Sequence, residues 1–312
     1  MKVPLIKYKP IQDNYILGAD VSSFEKELKG LSGCRVILNE KKNSVLKISS
    51  GKGYNSRLQN QKEKQQEWGK INVPNVAVPG IINWGFSEEG LFFFEMEYIN
   101  GRGYKEFLSD GSPEEINFFT ETILDLIKFF FSNSQRSDFS RFKNLVLEKI
   151  NSLEIDEEIE PDFIKFLETK ISSLDEEFFY LGVCHGDLSL PNILFCRENL
   201  ALIDFLDSFI ESPVVDLVKL KQDLFHLFSF LSCSDTKIKL RGIQSAKYIW
   251  KKIEKEFSEH VSKDSFKVLE VVNFLRILPY AKQEEVKSSI INIIKELSIY
   301  EEFNHSHGGK IL

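Results

Sequence analysis

Several things are scarce in this sequence of 312 residues. There are only four cysteines, Cys34, Cys184, Cys196 and Cys233. No pair has a C-x-x-C spacing, and no His stands at a zinc-ligand spacing from them. A disulfide framework is therefore not expected in a chain of this size. The four read as small apolar residues of a reducing compartment. No apolar stretch approaches the roughly 20 residues needed to span a bilayer. The opening MKVPLIKYKP has too short an apolar run for a signal peptide. These two shortages predict a soluble, cytoplasmic protein with no membrane partner. Positive charge is short as well: 40 Lys and Arg face 47 Asp and Glu, for a net charge of -7. Nucleic-acid binding usually shows a basic face, so nucleic acid is excluded as the default partner. The acidic balance is compatible with a cationic ligand without pointing to one.

What is present is a large apolar fraction, 42%. It suffices for one large domain or two smaller lobes. Residues 22–29 suggest a short helix. Val36-Ile37-Leu38 and Ser44-Val45-Leu46-Lys47-Ile48 are apolar runs on either side of Glu40-Lys41-Lys42-Asn43, which supplies turn chemistry. A β-hairpin follows. Residues 56–70 are charged and free of Pro and β-branched side chains, and they predict a solvated helix. Pro74, Pro79 and Gly80 break the next stretch into loop and short strand. Residues 91–99 read as a strand closed by Asn100-Gly101. From Pro113 onward helical patterns dominate: 114–133, 139–152, 161–173, 214–232, 236–259, 264–276 and 283–299. One β-like interruption, 179–206, carries the runs Ile193-Leu194-Phe195 and Ala201-Leu202-Ile203. The expected class is α+β, with a β-rich N-terminal lobe over 1–99 and a larger, mainly helical lobe over 100–312. The acidic run 154–160 reads as a solvated helix end or loop. The tail from residue 305 reads as a frayed end whose two His residues are not a metal site.

The stretch that carries chemistry is Val183-Cys184-His185-Gly186-Asp187-Leu188-Ser189-Leu190-Pro191-Asn192-Ile193-Leu194. Asp187 and Asn192 have the spacing of a protein-kinase catalytic loop. Asp204 closes the apolar run Ala201-Leu202-Ile203, which puts a carboxylate at a strand end. Phosphoryl transfer needs an aligned nucleophile and neutralised phosphate charge, with little covalent work from the protein. An Asp in reach of the acceptor hydroxyl orients it and takes its proton. An Asn and a second Asp supply hard oxygen ligands for Mg²⁺. An Asp in a turn is common on its own. The whole set at these spacings is not.

HGDLSLPNIL followed by ALIDF resembles the signature of the aminoglycoside phosphotransferase and choline kinase-like family. The strongest similarity covers about residues 183–217, with weaker correspondences from about residue 31. The resemblance implies a protein-kinase-like two-lobe fold and a small-molecule kinase. It implies Asp187 as the catalytic residue, and Asn192 and Asp204 as metal ligands for Mg²⁺. By the same resemblance His185 braces the loop, and Asp216 caps the next helix and steadies that loop. Asp207 either approaches the metal or binds the backbone of its own turn. Leu206 stands where the protein-kinase D-F-G motif has Gly, as in many small-molecule kinases of this superfamily.

The resemblance also assigns a nucleotide side. Lys47, the one cation of an apolar strand, would contact the α and β phosphates and pair with a helix Glu. Glu63 is favoured for that pairing, with Glu67 as the alternative one turn on. Ser32 and Gly33 would belong to a reduced phosphate-covering loop, since G-x-G-x-x-G is missing. Phe94-Glu95-Met96-Glu97-Tyr98-Ile99-Asn100-Gly101 resembles the family's hinge. The backbone of Glu97 and Tyr98 would then meet the purine edge of ATP or GTP.

The acceptor side is quieter. Asp223 and His226 share a helical face and would either hydrogen-bond a polyol or form a solvated stripe. The segment DLVKLKQDL is similar to one in family members linked to surface-polysaccharide genes. The expected function is phosphoryl transfer from ATP or GTP to a hydroxyl of a sugar, polyol or amino alcohol. Two alternatives stand beside it: an aminoglycoside antibiotic phosphotransferase, and a nucleotide-binding pseudokinase that serves as a partner-binding module. No A-P-E segment follows Phe205, which argues against a protein kinase.

Overall fold

The computed structural model describes Ile16–Leu17, Lys26–Leu28 and residues 34–306 apart from 232, 234 and 259. The chain forms two compact units. The smaller takes Met1–Gly103 together with Asn192–Asp207, and the larger takes Tyr104–Pro191 and Ser208–Leu312. The fold is α+β, a β-rich N-terminal region and a larger helical C-terminal part.

The smaller unit is built on a six-stranded sheet in the order β1-β6-β7-β4-β3-β2. Its strands are β1 (Ile16–Leu17), β2 (Lys26–Leu28), β3 (Cys34–Asn39), β4 (Ser44–Ser49), β6 (Ile81–Phe86) and β7 (Phe92–Glu97). The expected hairpin is present as β3 and β4, paired from Cys34↔Ser49 to Asn39↔Ser44. Its turn uses Asn43 at φ 51°, a left-handed conformation that Asn tolerates better than most residues. The helix expected over 22–29 is corrected. Lys26–Leu28 is a strand, antiparallel to β3, so edge pairing with the hairpin overrides the local propensity; residues 22–25 lie outside the described residues.

Helix α1 (Asn55–Trp68) buries Leu58, Gln61, Lys62, Lys64, Gln65 and Trp68. Leu58 joins Cys34, Leu38, Val45, Phe92, Phe94 and Met96 in one core cluster. Ile37, Leu46, Ile48 and Phe93 make a second cluster. The two sets alternate along β4 and β7, as a strand with period two requires. A small sheet β10-β11-β5 completes this unit, with β5 at Val76–Ala77, β10 at Ile193–Phe195 and β11 at Leu200–Leu202. Arg102 bridges to Phe195. Gly101 sits so close to β10 that a Cβ there would lie 2.9 Å from the Leu194 Cβ.

The larger unit holds helices α2 (Tyr104–Asp110), α3 (Pro113–Ser132), α4 (Phe139–Asn151), α5 (Pro161–Ser173), α6 (Pro213–Leu224), α7 (Thr236–Phe257), α8 (Lys263–Ile277), α9 (Glu284–Glu296) and α10 (Ser298–Ser306), with the strand pair β8 (Gln135–Asp138) and β9 (Phe178–Leu181). Caps set several of the starts. Ser112 and Glu115 form a capping box on α3, Asp235 accepts from Ile238 N on α7, and Ser262 caps α8. Helix α6 is buried nearly all round and packs against α3, α7 and α8. The helix expected over 214–232 is shorter than the pattern suggested. It stops at Leu224; Leu227 is left-handed at φ 60°, and Phe228–Phe230 makes a single 3-10 turn. His305 lies in the last turn of α10, and residues 307–312 lie outside the described residues.

Among the described residues no helix is long and apolar enough to cross a membrane. The four cysteines are free thiols, with Cys34 and Cys184 buried and Cys196 and Cys233 half-buried.

Candidate functional site

Lys47 occupies the middle of β4, on the same face as Val45, with its side chain only 3% exposed. Its ammonium is ion-paired to Asp204 and lies 5.6 Å from the centre of the Phe94 ring. An apolar strand tolerates a buried ammonium only when a charge partner meets it. Asp204 is that partner. It follows β11 directly and has φ 62°, an uncommon conformation for a residue other than glycine. Asn192 belongs to the same unit and is 8% exposed. Its carbonyl accepts from Ile203 N at 3.0 Å, which ties it to the strand end that carries Asp204.

Helix α1 holds the segment after Asp204. Lys64 Nζ donates to the Leu206 carbonyl at 2.7 Å, and the Trp68 ring packs against Phe205 at 5.5 Å. Lys64 is 7% exposed. In sequence it reads as one more solvated cation on a charged helix, so nothing there distinguished it. Asp207 is exposed.

The pairing expected between Lys47 and Glu63 is corrected. Glu63 is half-exposed, with Lys62 Nζ at 4.0 Å, and Glu67 binds Lys70 at 2.6 Å. The buried residues of α1 are Leu58, Gln61, Lys62, Lys64, Gln65 and Trp68, and Glu63 is not among them. The hinge assignment is corrected in part. Glu97 N donates to the Gly80 carbonyl at 3.0 Å and Tyr98 N to the Asn43 carbonyl at 3.0 Å, so neither N–H is left for a base. The Glu97 carboxylate also accepts from Gly80 N at 2.9 Å. Ser32 and Gly33 lie outside the described residues.

The larger unit carries His185 to Pro191 of the motif. Gly186 has φ 88°, which only glycine adopts without strain. Asp216, in the first turns of α6 and wholly buried, takes three loop N–H groups: His185 at 2.5 Å, Gly186 at 2.9 Å and Leu188 at 3.3 Å. His185 is buried too, and its Nδ1 accepts from Asp187 N at 3.2 Å. The Asp187 carboxylate lies 3.1 Å from Lys219 Nζ.

The polyol role considered for Asp223 and His226 is not what the structure builds. Asp223 is wholly buried and accepts from Leu190 N at 2.7 Å and from Ser229 Oγ at 2.6 Å. Burial pushes its carboxyl up to about 6, against the pull of those hydrogen bonds and of Lys219. His226 Nε2 is 2.6 Å from Glu270, which also binds Lys221. Both residues are committed to contacts within the protein. Lys219 was visible in the sequence only as part of a polar stripe. Its burial depends on α3, α7 and α8 closing round α6, which no local pattern reveals.

Residues 29–229 match the phosphotransferase enzyme family. The chain belongs to this family. As a member of the phosphotransferase family it bears out the expectation of a phosphotransferase. No curated protein matches its sequence. Among solved structures, the chain is similar to the GDP complex of wild-type aminoglycoside 2'-phosphotransferase-IIIa. The two are 14% identical with a TM-score of 0.59, over 90% of this chain and 95% of that one. It is similar also to a thermostable mutant of aminoglycoside phosphotransferase APH(4)-Ia in ternary complex with AMP-PNP and hygromycin B. There the identity is 13% and the TM-score 0.59, over 93% of this chain and 97% of that one. These likenesses agree with the kinase-like fold of this phosphotransferase.

Proposed function

We propose that the protein is a small-molecule kinase that moves the γ-phosphoryl group of ATP or GTP to a hydroxyl of a sugar, polyol or amino alcohol. The observation that carries this reading is the ion pair of Lys47 with Asp204. A strand buries an ammonium against a carboxylate whose backbone is itself in an uncommon conformation. Buried pairs add little stability relative to apolar residues of the same size, so stability alone does not account for this one. The same two groups suit a bound nucleotide. The ammonium is a donor for phosphate oxygens, and the carboxylate is a hard oxygen donor.

The donor set fits Mg²⁺. Asp204 supplies a carboxylate and Asn192 an amide oxygen, both of them hard ligands from one unit. Asp204 and Asn192 would hold Mg²⁺, whose chemistry when bound is to offset phosphate charge. Asp187 would orient the acceptor hydroxyl and accept its proton. The backbone of its loop is fixed by Asp216 and Asp223, so little reorganisation would be needed.

Charge supports a neutral or singly charged acceptor over a polycationic aminoglycoside. Lys219 sets a cation beside Asp187, while Asp216 and Asp223 are turned inward onto loop N–H groups. A drug bearing several ammonium groups would meet repulsion there.

The test is nucleoside diphosphate release with Mg²⁺ and ATP or GTP across sugars, polyols, amino alcohols and aminoglycosides, with Asp187→Ala as control. Stimulation by one of the sugar, polyol or amino alcohol classes, lost in the variant, is the expected result. Stimulation by aminoglycosides alone would move the assignment to the antibiotic kinase. Nucleotide binding that no acceptor converts to turnover would favour the pseudokinase.

A further inference from the structure

Helix α6 carries three charged side chains in one row: Asp216, Lys219 and Asp223, spaced by three and four residues. All three are buried. The two carboxylates at the ends have clear tasks. Asp216 holds the N–H groups of His185, Gly186 and Leu188, and Asp223 holds that of Leu190. Between them Lys219 meets a side chain rather than the backbone. Its Nζ lies 3.1 Å from Asp187 Oδ1, and its side chain is 8% exposed.

A buried ammonium is costly, and an apolar residue of similar length would fit the helix more cheaply. What the ammonium offers is charge placed beside Asp187. Asp187 and Asp223 repel each other. An intervening cation offsets that repulsion and fixes the Asp187 side chain in one direction.

We propose that Lys219 is a positioning residue for the transfer reaction, its ammonium keeping the Asp187 carboxylate charged and turned one way. This rests on the reading of Asp187 as the group that orients the acceptor. The ion pair itself can be tested without any acceptor.

The first experiment is a pH titration of the full chain labelled with ¹³C at the aspartate carboxyl, the Asp187 signal being identified by its loss in Asp187→Asn. In Lys219→Met the Asp187 carboxyl should bind protons about tenfold more tightly, an upward move of about one pH unit. Lys219→Arg should restore most of the wild-type value. An Asp187 titration that is the same in Lys219→Met and wild type would overturn the proposal.

Should Lys219→Met fail to fold, the pair can be read from the other side. With ¹⁵N-labelled lysine, Asp187→Asn should move the Lys219 Nζ resonance and speed hydrogen exchange of its ammonium, and no change would reject the pairing. With an acceptor in hand, Lys219→Met should lower kcat about tenfold or more, leave the KM for nucleotide within about twofold, and move the acid limb of the pH profile upward. A loss of nucleotide affinity with kcat intact would count against it. If the wild-type chain turns over no acceptor, the functional reading falls while the titrations still decide the role of Lys219 toward Asp187.

Discussion

The Lys47 ammonium and the Asp204 carboxylate share an ion pair, yet they are buried to different degrees, 3% exposed for the lysine side chain and 35% for the aspartate. The two ends of the pair should therefore respond differently to removal. Asp204→Ala leaves an ammonium inside the sheet with no charge partner. Breaking a buried pair costs about 3–5 kcal/mol, less where water can reach one partner, so a loss of about 2–3 kcal/mol is expected. Lys47→Met leaves a carboxylate that water can already reach, and the expected loss is within about 1 kcal/mol. Urea denaturation of the two variants measures the difference. Equal losses would mean that the pair is not buried as described.

The same two substitutions separate in nucleotide binding. If Lys47 holds phosphate as proposed, Lys47→Met should weaken nucleotide affinity about tenfold or more with and without Mg²⁺. Asp204→Asn should weaken only the part of the affinity that depends on Mg²⁺. Calorimetric titration with ATP and GTP, with Mg²⁺ and with EDTA, gives four values for each protein. Loss of the Mg²⁺-independent part in Asp204→Asn would contradict the division of roles.

Asp216 accepts from three loop N–H groups and is wholly buried. Asp216→Ala strands those donors, and each buried donor left unpaired costs about 1–3 kcal/mol. A total of about 3–5 kcal/mol is expected once partial relaxation is allowed for, with turnover lost. Asp216→Asn keeps one acceptor oxygen and should recover part of the stability. Hydrogen exchange at Gly186 and Leu188 reports on the loop directly. Protection there that is unchanged in Asp216→Ala would remove Asp216 from its role.

Much of this arrangement was legible in the sequence. The β3–β4 hairpin follows from two apolar runs around a turn that ends in Asn43, and the helices follow from their periodicity. Other features needed tertiary structure. Lys26–Leu28 is a strand because β3 offers it an edge. Helix α6 ends at Leu224 although apolar residues continue, since Leu227 turns left-handed. The partner of Lys47 comes from 157 residues away rather than from α1. Lys64 and Lys219 look in sequence like solvated lysines, and only burial shows what they hold. The N–H groups of Glu97 and Tyr98 are consumed by Gly80 and Asn43, a pairing that no one-dimensional pattern reveals.

Burial raises the Asp223 carboxyl to about 6, so this group makes stability depend on pH. The folded state holds the proton more tightly than the unfolded chain does. The stabilisation from protonated Asp223 is therefore full below the ordinary aspartate value near 4 and is lost as pH rises through about 6. Asp223→Asn removes the titration while keeping an oxygen that can accept from Leu190 N. The variant should gain stability relative to wild type as pH rises from 4.5 to 7.5, by about 1–2 kcal/mol after allowance for coupling to Lys219. Denaturant midpoints at both pH values give the comparison. The change should be specific to this side chain, since Asp216→Asn replaces one of the two oxygens that accept the three loop N–H groups and should lose stability at either pH. Parallel pH dependence in wild type and Asp223→Asn would show that Asp223 is ionised across the whole range. Lys219 and the loop N–H groups would then outweigh its burial.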